Sequence, residues 1–139
     1  MQMSCPYKDA IDIHDNYIVV GSFEFQDHIK VFDIRKPSGA VQKKTLKSQT
    51  ALEGHFKPND TLCKIHSLSF CEFDKRLICV STCHNNTIKL LEFNSGELNE
   101  IFSYEALPTM VMSLDTIQEK KNTIYLSGVG LYGEMNLSF

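Results

Sequence analysis

Short runs of apolar, β-prone residues recur along the chain, and each run is bounded by turn-forming residues. Residues 77–82 and 87–93 form one such pair, joined across His84-Asn85-Asn86. Because Asn tolerates positive φ, an Asn-Asn pair between two such runs predicts a tight hairpin. The same pattern occurs in residues 17–39 and, more weakly, in residues 122–139. Three copies of one hairpin indicate that the chain is built from repeats.

The complete hydrophobic pattern predicts strands along most of the chain. They are residues 10–14, 17–23, 28–34, 41–46, 65–70, 77–82, 87–93, 98–104, 109–114, 123–127 and 134–139. In the second and sixth of these strands apolar residues occupy consecutive positions, which predicts burial on both faces of the sheet. Residues 47–64 are the least regular segment, and we interpret them as a long surface connection within one domain.

Composition narrows the class of protein. With 139 residues, 42% of them hydrophobic, the chain can bury one ordinary core. A net charge of −3 is unlike that of a strongly basic nucleic-acid-binding module. No apolar run approaches the length of a membrane span, and no signal peptide is recognisable at the start. Five cysteines are an odd number without the density of a disulfide scaffold, which favours an intracellular protein of the cytoplasm or nucleus.

Two segments resemble a known repeat family. The first is residues 28–35, His-Ile-Lys-Val-Phe-Asp-Ile-Arg, and the second is residues 87–93, Thr-Ile-Lys-Leu-Leu-Glu-Phe. Each follows a predicted strand that ends in small residues. Gly54-His55 precedes the second repeat. Together these features resemble the tryptophan–aspartate (WD) repeat β-propellers. The chain has no tryptophan, and Phe32-Asp33 and Leu91-Glu92 stand where the family has Trp-Asp. The family's buried side-chain hydrogen-bond network is therefore incomplete here, because Phe and Leu donate no hydrogen bond.

The resemblance implies an all-β fold. We expect residues 1–139 to form a single partial WD-repeat-like β-propeller of about three four-stranded antiparallel blades, not closed on its own. The approximate repeats are residues 8–47, 64–104 and 109–139, and the third repeat lacks a fourth strand. A propeller ring has at least four blades. Either a longer polypeptide or another chain would therefore complete it.

The function predicted from this fold is that of a non-catalytic scaffold or protein-interaction subunit in a larger intracellular assembly. Its partners would be protein subunits of a complex or further blades of a longer chain, with no cofactor, no membrane and no direct nucleic-acid contact. One alternative is a substrate receptor of a cullin–RING ubiquitin ligase, since residues 32–35 resemble the Trp-Asp-x-Arg box through which some WD-repeat proteins dock. The partner-binding residues would then be Asp33 and Arg35. A purely structural role, in which Arg35 pairs with nearby carboxylates, is the competing interpretation.

A second candidate for partner binding is the last predicted strand. Its backbone N–H and C=O groups have one side without a ladder partner in the predicted repeat, so a strand donated by a partner would extend the sheet. Alternation along this strand places Met135, Leu137 and Phe139 on one face. We expect this edge to be the principal docking site.

An enzyme or cofactor-binding protein is the remaining class, and three motifs bear on it. Residues 128–133 match Gly-x-Gly-x-x-Gly after a strand, but a dinucleotide site needs a following helix, so a glycine-rich hairpin loop is favoured. A zinc site would draw on Cys63, His66, Cys71, Cys79, Cys83 and His84, yet their spacing lacks the close Cys-x-x-Cys pairs of such sites. A Cys83–His84 nucleophile pair is disfavoured because adjacent residues of a strand point to opposite faces.

Lys43, Lys44, Lys47 and Lys57 form a modest basic group near the long connection. A solvated loop is the favoured interpretation of these lysines, and nucleic-acid contact is the alternative.

Overall fold

The computed structural model describes residues 10–22, 27–36, 38–46, 65–82, 86–94, 97–104, 107, 111–118, 122–128 and 131–137. From residue 118 onward it describes the backbone alone. Within these ranges the protein is all-β. The strands are β1 (Ile11–His14), β2 (Tyr17–Gly21), β3 (Ile29–Asp33), β4 (Ala40–Lys44), β5 (Ile65–Phe70), β6 (Leu77–Thr82), β7 (Thr87–Asn94), β8 (Glu97–Tyr104), β9 (Val111–Gln118), β10 (Asn122–Gly128) and β11 (Leu131–Leu137).

Within each sheet, strands that follow one another in the chain pair antiparallel. Sheet 1 has the order β1-β2-β3-β4, sheet 2 the order β5-β6-β7-β8 and sheet 3 the order β9-β10-β11. The all-β, antiparallel prediction is confirmed. Four strands are present in sheets 1 and 2, whereas the described part of sheet 3 has three, so the expectation of about three four-stranded sheets holds for two.

The turn residues adopt the backbone conformations that their chemistry allows. Asp15, between β1 and β2, has φ 51°, and Asn86, just before β7, has φ 46°. Asp and Asn enter this left-handed region more readily than other residues with a Cβ atom. The predicted turn at Asp15-Asn16 is confirmed, and so is the left-handed tolerance expected at Asn86.

Sheet 1 packs on sheet 2 through a shared apolar core. Val19, Ile29 and Val31 of sheet 1 belong to the same buried cluster as Ile78 and Leu91 of sheet 2. The described parts of sheets 1 and 2 therefore bury apolar surface against each other.

The same two sheets are also joined by close contacts between individual residues. The Phe70 N–H of sheet 2 donates to Asp12 Oδ2 of sheet 1 at 2.8 Å, and the Tyr17 and Phe93 rings meet edge to face with centroids 5.0 Å apart. A Cβ atom added at Gly21 would lie 2.5 Å from Ile65 Cγ2, so only glycine allows β2 to approach β5 this closely.

Sheet 3 covers the opposite face of sheet 2. Cys79, Ile88 and Leu90 of sheet 2 form a second buried cluster with Val111 and Leu114 of β9. Every residue of β6 is therefore buried, which confirms burial on both faces as the consecutive apolar pattern predicted. In β2 the prediction holds for Val19 and Val20, whereas Ile18 is only half-buried.

Two predicted strands differ from the observed ones by three or more residues at one end, because the partner strand rather than local hydropathy sets the length of a ladder; other strand ends differ by one or two residues. β9 continues four residues beyond the predicted end at Leu114, and its polar end pairs with β10 as far as Gln118 opposite Asn122. β11 begins at Leu131 instead of Glu134, since its ladder with β10 already starts at the pairing Gly128↔Leu131.

Sheets 1 and 2 share a bulge at matching positions. The ladder between the third and fourth strands shifts register between Val31 and Phe32 in sheet 1, and between Leu90 and Leu91 in sheet 2. At one end of each sheet, the N–H of Ile34, just after β3, donates to the Asn16 carbonyl, and the N–H of Phe93, inside β7, donates to the Arg76 carbonyl. The two sheets thus share the position of one bulge and of one strand-end hydrogen bond.

Candidate functional site

Asp33 and Arg35, the first predicted partner-binding pair, lie together at the end of β3. Arg35 Nε and Nη2 donate to Asp33 Oδ1 and Oδ2 at 2.9 and 2.8 Å, and the Arg35 backbone N–H donates to Oδ1 at 3.0 Å. Asp33 is buried, while the Arg35 side chain is 57% exposed. The fork of the guanidinium thus holds the carboxylate in a bidentate pair and leaves much of its own surface accessible.

This pairing changes the acidity of both groups. The hydrogen bonds from the Arg35 side chain and backbone, together with its charge, lower the pKa of Asp33 to about 2. The same contact raises the pKa of Arg35. The pair is therefore fully ionised at neutral pH.

A second pair of the same kind, missed by the sequence interpretation, lies just before β6. Arg76 Nε and Nη2 donate to Asp74 Oδ1 and Oδ2 at 3.1 and 2.8 Å, and the Arg76 backbone N–H donates to Oδ1 at 3.0 Å. These hydrogen bonds lower the pKa of Asp74. The signal for it is the shared Asp-x-Arg spacing. The same bidentate contact is thus made at two Asp-x-Arg segments of the described chain, and at each the Arg pairs with the carboxylate two residues before it.

Both pairs lie at the same end of the stacked sheets. The residues at this end form what we call the strand-end cluster: Tyr17, Asp33, Arg35, Asp74, Arg76 and Phe93. The Arg35 guanidinium carbon lies 5.9 Å from the centroid of the Tyr17 ring, within the range of a cation–π contact. Tyr17 in turn packs on Phe93, whose N–H donates to the Arg76 carbonyl at 2.7 Å. The cluster is an aromatic and guanidinium surface that joins sheets 1 and 2.

A second surface, which is mostly apolar, lies on the side of sheet 1 that faces away from sheet 2. We call it the outer face of sheet 1. Its residues, from the strand registers, are Ile11, Ile13, Ile18, Val20, Lys30 and Phe32. Ile11 is 42% exposed and Ile13 62% exposed, while Val20 is buried among its neighbours. Large aliphatic side chains exposed side by side on a sheet are typical of an interaction surface. The sequence interpretation did not find this surface, since alternation alone cannot tell which face of a strand is covered.

The predicted docking edge lies in sheet 3 and is separate from the Asp33–Arg35 pair. Met135 and Leu137 belong to β11, where their Cα partners are Ile124 and Asn122 of β10. Among the described residues, β11 has a ladder partner on one side only. In sheets 1 and 2 the third strand is flanked by a fourth on that side. Phe139 lies outside the described residues.

The motifs considered for chemistry are distributed as follows. Gly128 ends β10 and Gly133 lies inside β11, so these two glycines belong to the β10–β11 hairpin, as the sequence favoured. A dinucleotide site needs a helix after its glycines, whereas a strand continues here. Cys71 and Cys79 are buried in the core between sheets 2 and 3. Burial raises the pKa of Cys71 to about 12 and that of Cys79 well above its usual value, so both thiols stay protonated.

The described ranges contain no group of three or more His, Cys, Asp or Glu side chains placed to hold a metal ion. Lys43 is exposed, and its Nζ lies 3.8 Å from Asp27 Oδ2. His66 is buried in β5. Cys63, Cys83, His84, Gly54-His55, Lys47 and Lys57 lie outside the described residues.

No family model, no curated protein and no solved structure matches the chain. Among the described residues, no helix is long and apolar enough to cross a membrane. The resemblance to WD-repeat propellers therefore remains a prediction, and so do the functions that it implies.

Proposed function

We propose that the chain is a non-catalytic, WD-repeat-like interaction module that contributes stacked β-sheets to a larger intracellular protein assembly. In this proposal the sheets are blades of a propeller, and protein subunits or further blades complete the stack. The observation that carries the proposal is the outer face of sheet 1, where Ile11 and Ile13 are exposed side by side.

The way the described sheets bury apolar surface supports this function. Sheet 2 has an apolar layer on each face, and both layers are covered by a neighbouring sheet. Sheet 1 has such a layer on both faces but a described neighbour on one side only. Covering a side chain the size of isoleucine contributes about 1.5–3 kcal/mol, so association through this face is favourable.

Sedimentation analysis of residues 1–139 at increasing concentration tests the proposal. We expect self-association or precipitation that weakens in Ile13→Ser, because the substitution places a hydroxyl on the most exposed part of the outer face. Ile101→Ser is the matched control, since Ile101 is 46% exposed but lies at the β8 bulge. The proposal would be wrong if the chain is a monomer that melts cooperatively and its sedimentation is unchanged by Ile13→Ser.

A second candidate function is that of a substrate receptor that docks on a cullin–RING ligase adaptor through Arg35. The exposure of the Arg35 side chain favours it. Arg35→Ala would abolish co-purification with the adaptor, whereas Arg76→Ala, which removes the matching pair near β6, would not. Equal co-purification of both variants and the parent chain would exclude docking through Arg35.

A further inference from the structure

The outer face of sheet 1 repeats, position by position, a face of sheet 2 that is already covered. The pairings Ile11↔Val20 and Ile13↔Ile18 in sheet 1 match Leu68↔Val80 and Phe70↔Ile78 in sheet 2. The ladders between the second and third strands extend the match. The corresponding residues, with sheet 1 first, are Ile11 and Leu68, Ile13 and Phe70, Ile18 and Ile78, Val20 and Val80, Lys30 and Lys89, Phe32 and Leu91, and Ile34 and Phe93.

Val20 and Val80 are both buried, but other corresponding residues differ sharply in exposure. Leu68 and Phe70 are 2% and 5% exposed, because β1 and β2 lie against them. Ile13, at the position of Phe70, is 62% exposed, and Ile34, at the position of Phe93, is 55% exposed. Some of the largest exposed hydrophobic side chains of the protein thus occupy positions that are core positions one sheet further along.

The backbone beneath the two faces has a bulge and a strand-end hydrogen bond at matching positions. A bulge increases the local twist of a strand, so the matching bulges favour a similar local twist in the two sheets. A surface of this shape and polarity is complementary to the side of sheet 1 that covers sheet 2, whose central residues are Val19, Ile29 and Val31. One difference is that Ala40 stands opposite Phe32, where Glu100 stands opposite Leu91.

We infer that the outer face of sheet 1 receives another antiparallel β-sheet, carried by a partner protein, which packs on it as sheet 1 packs on sheet 2. The covering face carries β-branched residues at its centre. At the strand end it places an aromatic ring on Ile34, as Tyr17 lies on Phe93. This inference rests on the proposed function and specifies the occupant of the surface.

The test supplies the covering sheet from the protein itself. A tandem chain carries an added copy of residues 10–64 ahead of residues 10–139, and only the second copy contains Ile13→Cys. Labelling by a thiol reagent is followed peptide by peptide by mass spectrometry. Because a covered thiol reacts only when the structure opens, we expect labelling of the introduced thiol to slow by about tenfold or more relative to the single chain with the same substitution. Cys79, buried between sheets 2 and 3, reports in the same experiment that the fold is intact.

Two controls make the result specific. Val19→Asp with Val31→Asp in the added copy places carboxylates on its covering face, and labelling of the introduced thiol should return to the single-chain rate. Ile101→Cys, exposed and away from the face, should react equally in the single and tandem chains.

Unchanged labelling of the introduced thiol in the tandem, with Cys79 protected, would overturn the inference. Such a result would favour a short peptide, a lipid or a dissimilar protein surface as the occupant. A second tandem chain has a glycine–serine connection in place of residues 47–64 of the added copy. Loss of Cys79 protection in both tandem chains would also count against the inference. If Ile13→Ser still weakens association of the unmodified chain, the proposed function stands while the occupant is wrong.

Discussion

A buried lysine illustrates how much a single side chain depends on its neighbours. Lys89 lies on the covered face of sheet 2 and is 2% exposed; its Nζ donates to Glu100 Oε1 at 2.7 Å and to Ser103 Oγ at 3.2 Å. Desolvating an ammonium group is costly, and a close carboxylate offsets most of that cost. The Lys89–Glu100 pair therefore adds little net stability, but removing one partner leaves the other charge uncompensated.

This asymmetry gives a prediction for two variants. Glu100→Ala leaves the Lys89 ammonium buried without its carboxylate and should lower the free energy of unfolding by about 2–4 kcal/mol. Lys89→Met fills the same space without charge and should change it by less than about 1 kcal/mol. Denaturant titrations compare the two, and the double variant should behave like Lys89→Met. Equal losses in the two single variants would contradict this account.

Acid titration tests the pair at the end of β3. The folded-state pKa of Asp33, about 2, lies below the ordinary value of 3.8, so the pair contributes stability above that ordinary value. This contribution is lost as the pH falls from about 4 through about 2. Carboxyl NMR should show the low midpoint in the parent chain and a return towards the ordinary value in Arg35→Ala. Arg76→Ala should leave Asp33 unchanged, and a shift there would contradict the assignment of cause.

Only part of this residue-level detail was predictable from sequence. The Asp33–Arg35 contact follows from spacing, and Asp74–Arg76 has the same spacing but was overlooked. The burial of Lys89 has no local signal, because the ladder to β8 supplies Glu100 and the neighbouring sheet supplies the cover.

At the scale of elements, each described strand coincides with a predicted one, and strand order follows from chain order in an up-and-down meander. Strand ends were less predictable. β9 runs on through Asp115 and Thr116, which are polar, because β10 pairs with them. The Thr116 hydroxyl also accepts a hydrogen bond from the Glu72 N–H at 2.8 Å, a contact that no local pattern indicates.

The edge of β11 remains a predicted docking element, and proline scanning tests it. Leu137→Pro removes a backbone donor and cannot extend a paired ladder, so it should weaken association with native partners in pull-down experiments. Leu137→Ala is the matched control because it shortens the side chain but keeps the N–H. Thermal melting should show that sheet 2 is intact in both variants. Unchanged association in Leu137→Pro would mean that partners do not use this edge.

At the scale of the whole molecule, the sequence predicted repeated sheets but not the match between the outer face of sheet 1 and the covered face of sheet 2. That match depends on register and bulges, which set the face to which each side chain points. Whether further sheets or a partner cover the outer face of sheet 1 depends on surfaces beyond those described. Residue patterns within this chain do not encode them.

The central position of sheet 2 has a consequence for the dynamics of the stack. Since each sheet pairs only within itself and packs only on its neighbours, the described part of the molecule approximates a one-dimensional array in which stability is shared between adjacent units. Opening β6 and β7 would break two inter-sheet interfaces, whereas opening sheet 1 breaks one. Native-state amide hydrogen exchange should therefore be slowest in β6 and β7 and faster in β1, with protection decreasing outward from the middle of the stack. Uniform protection across the sheets would instead indicate a single cooperative unit.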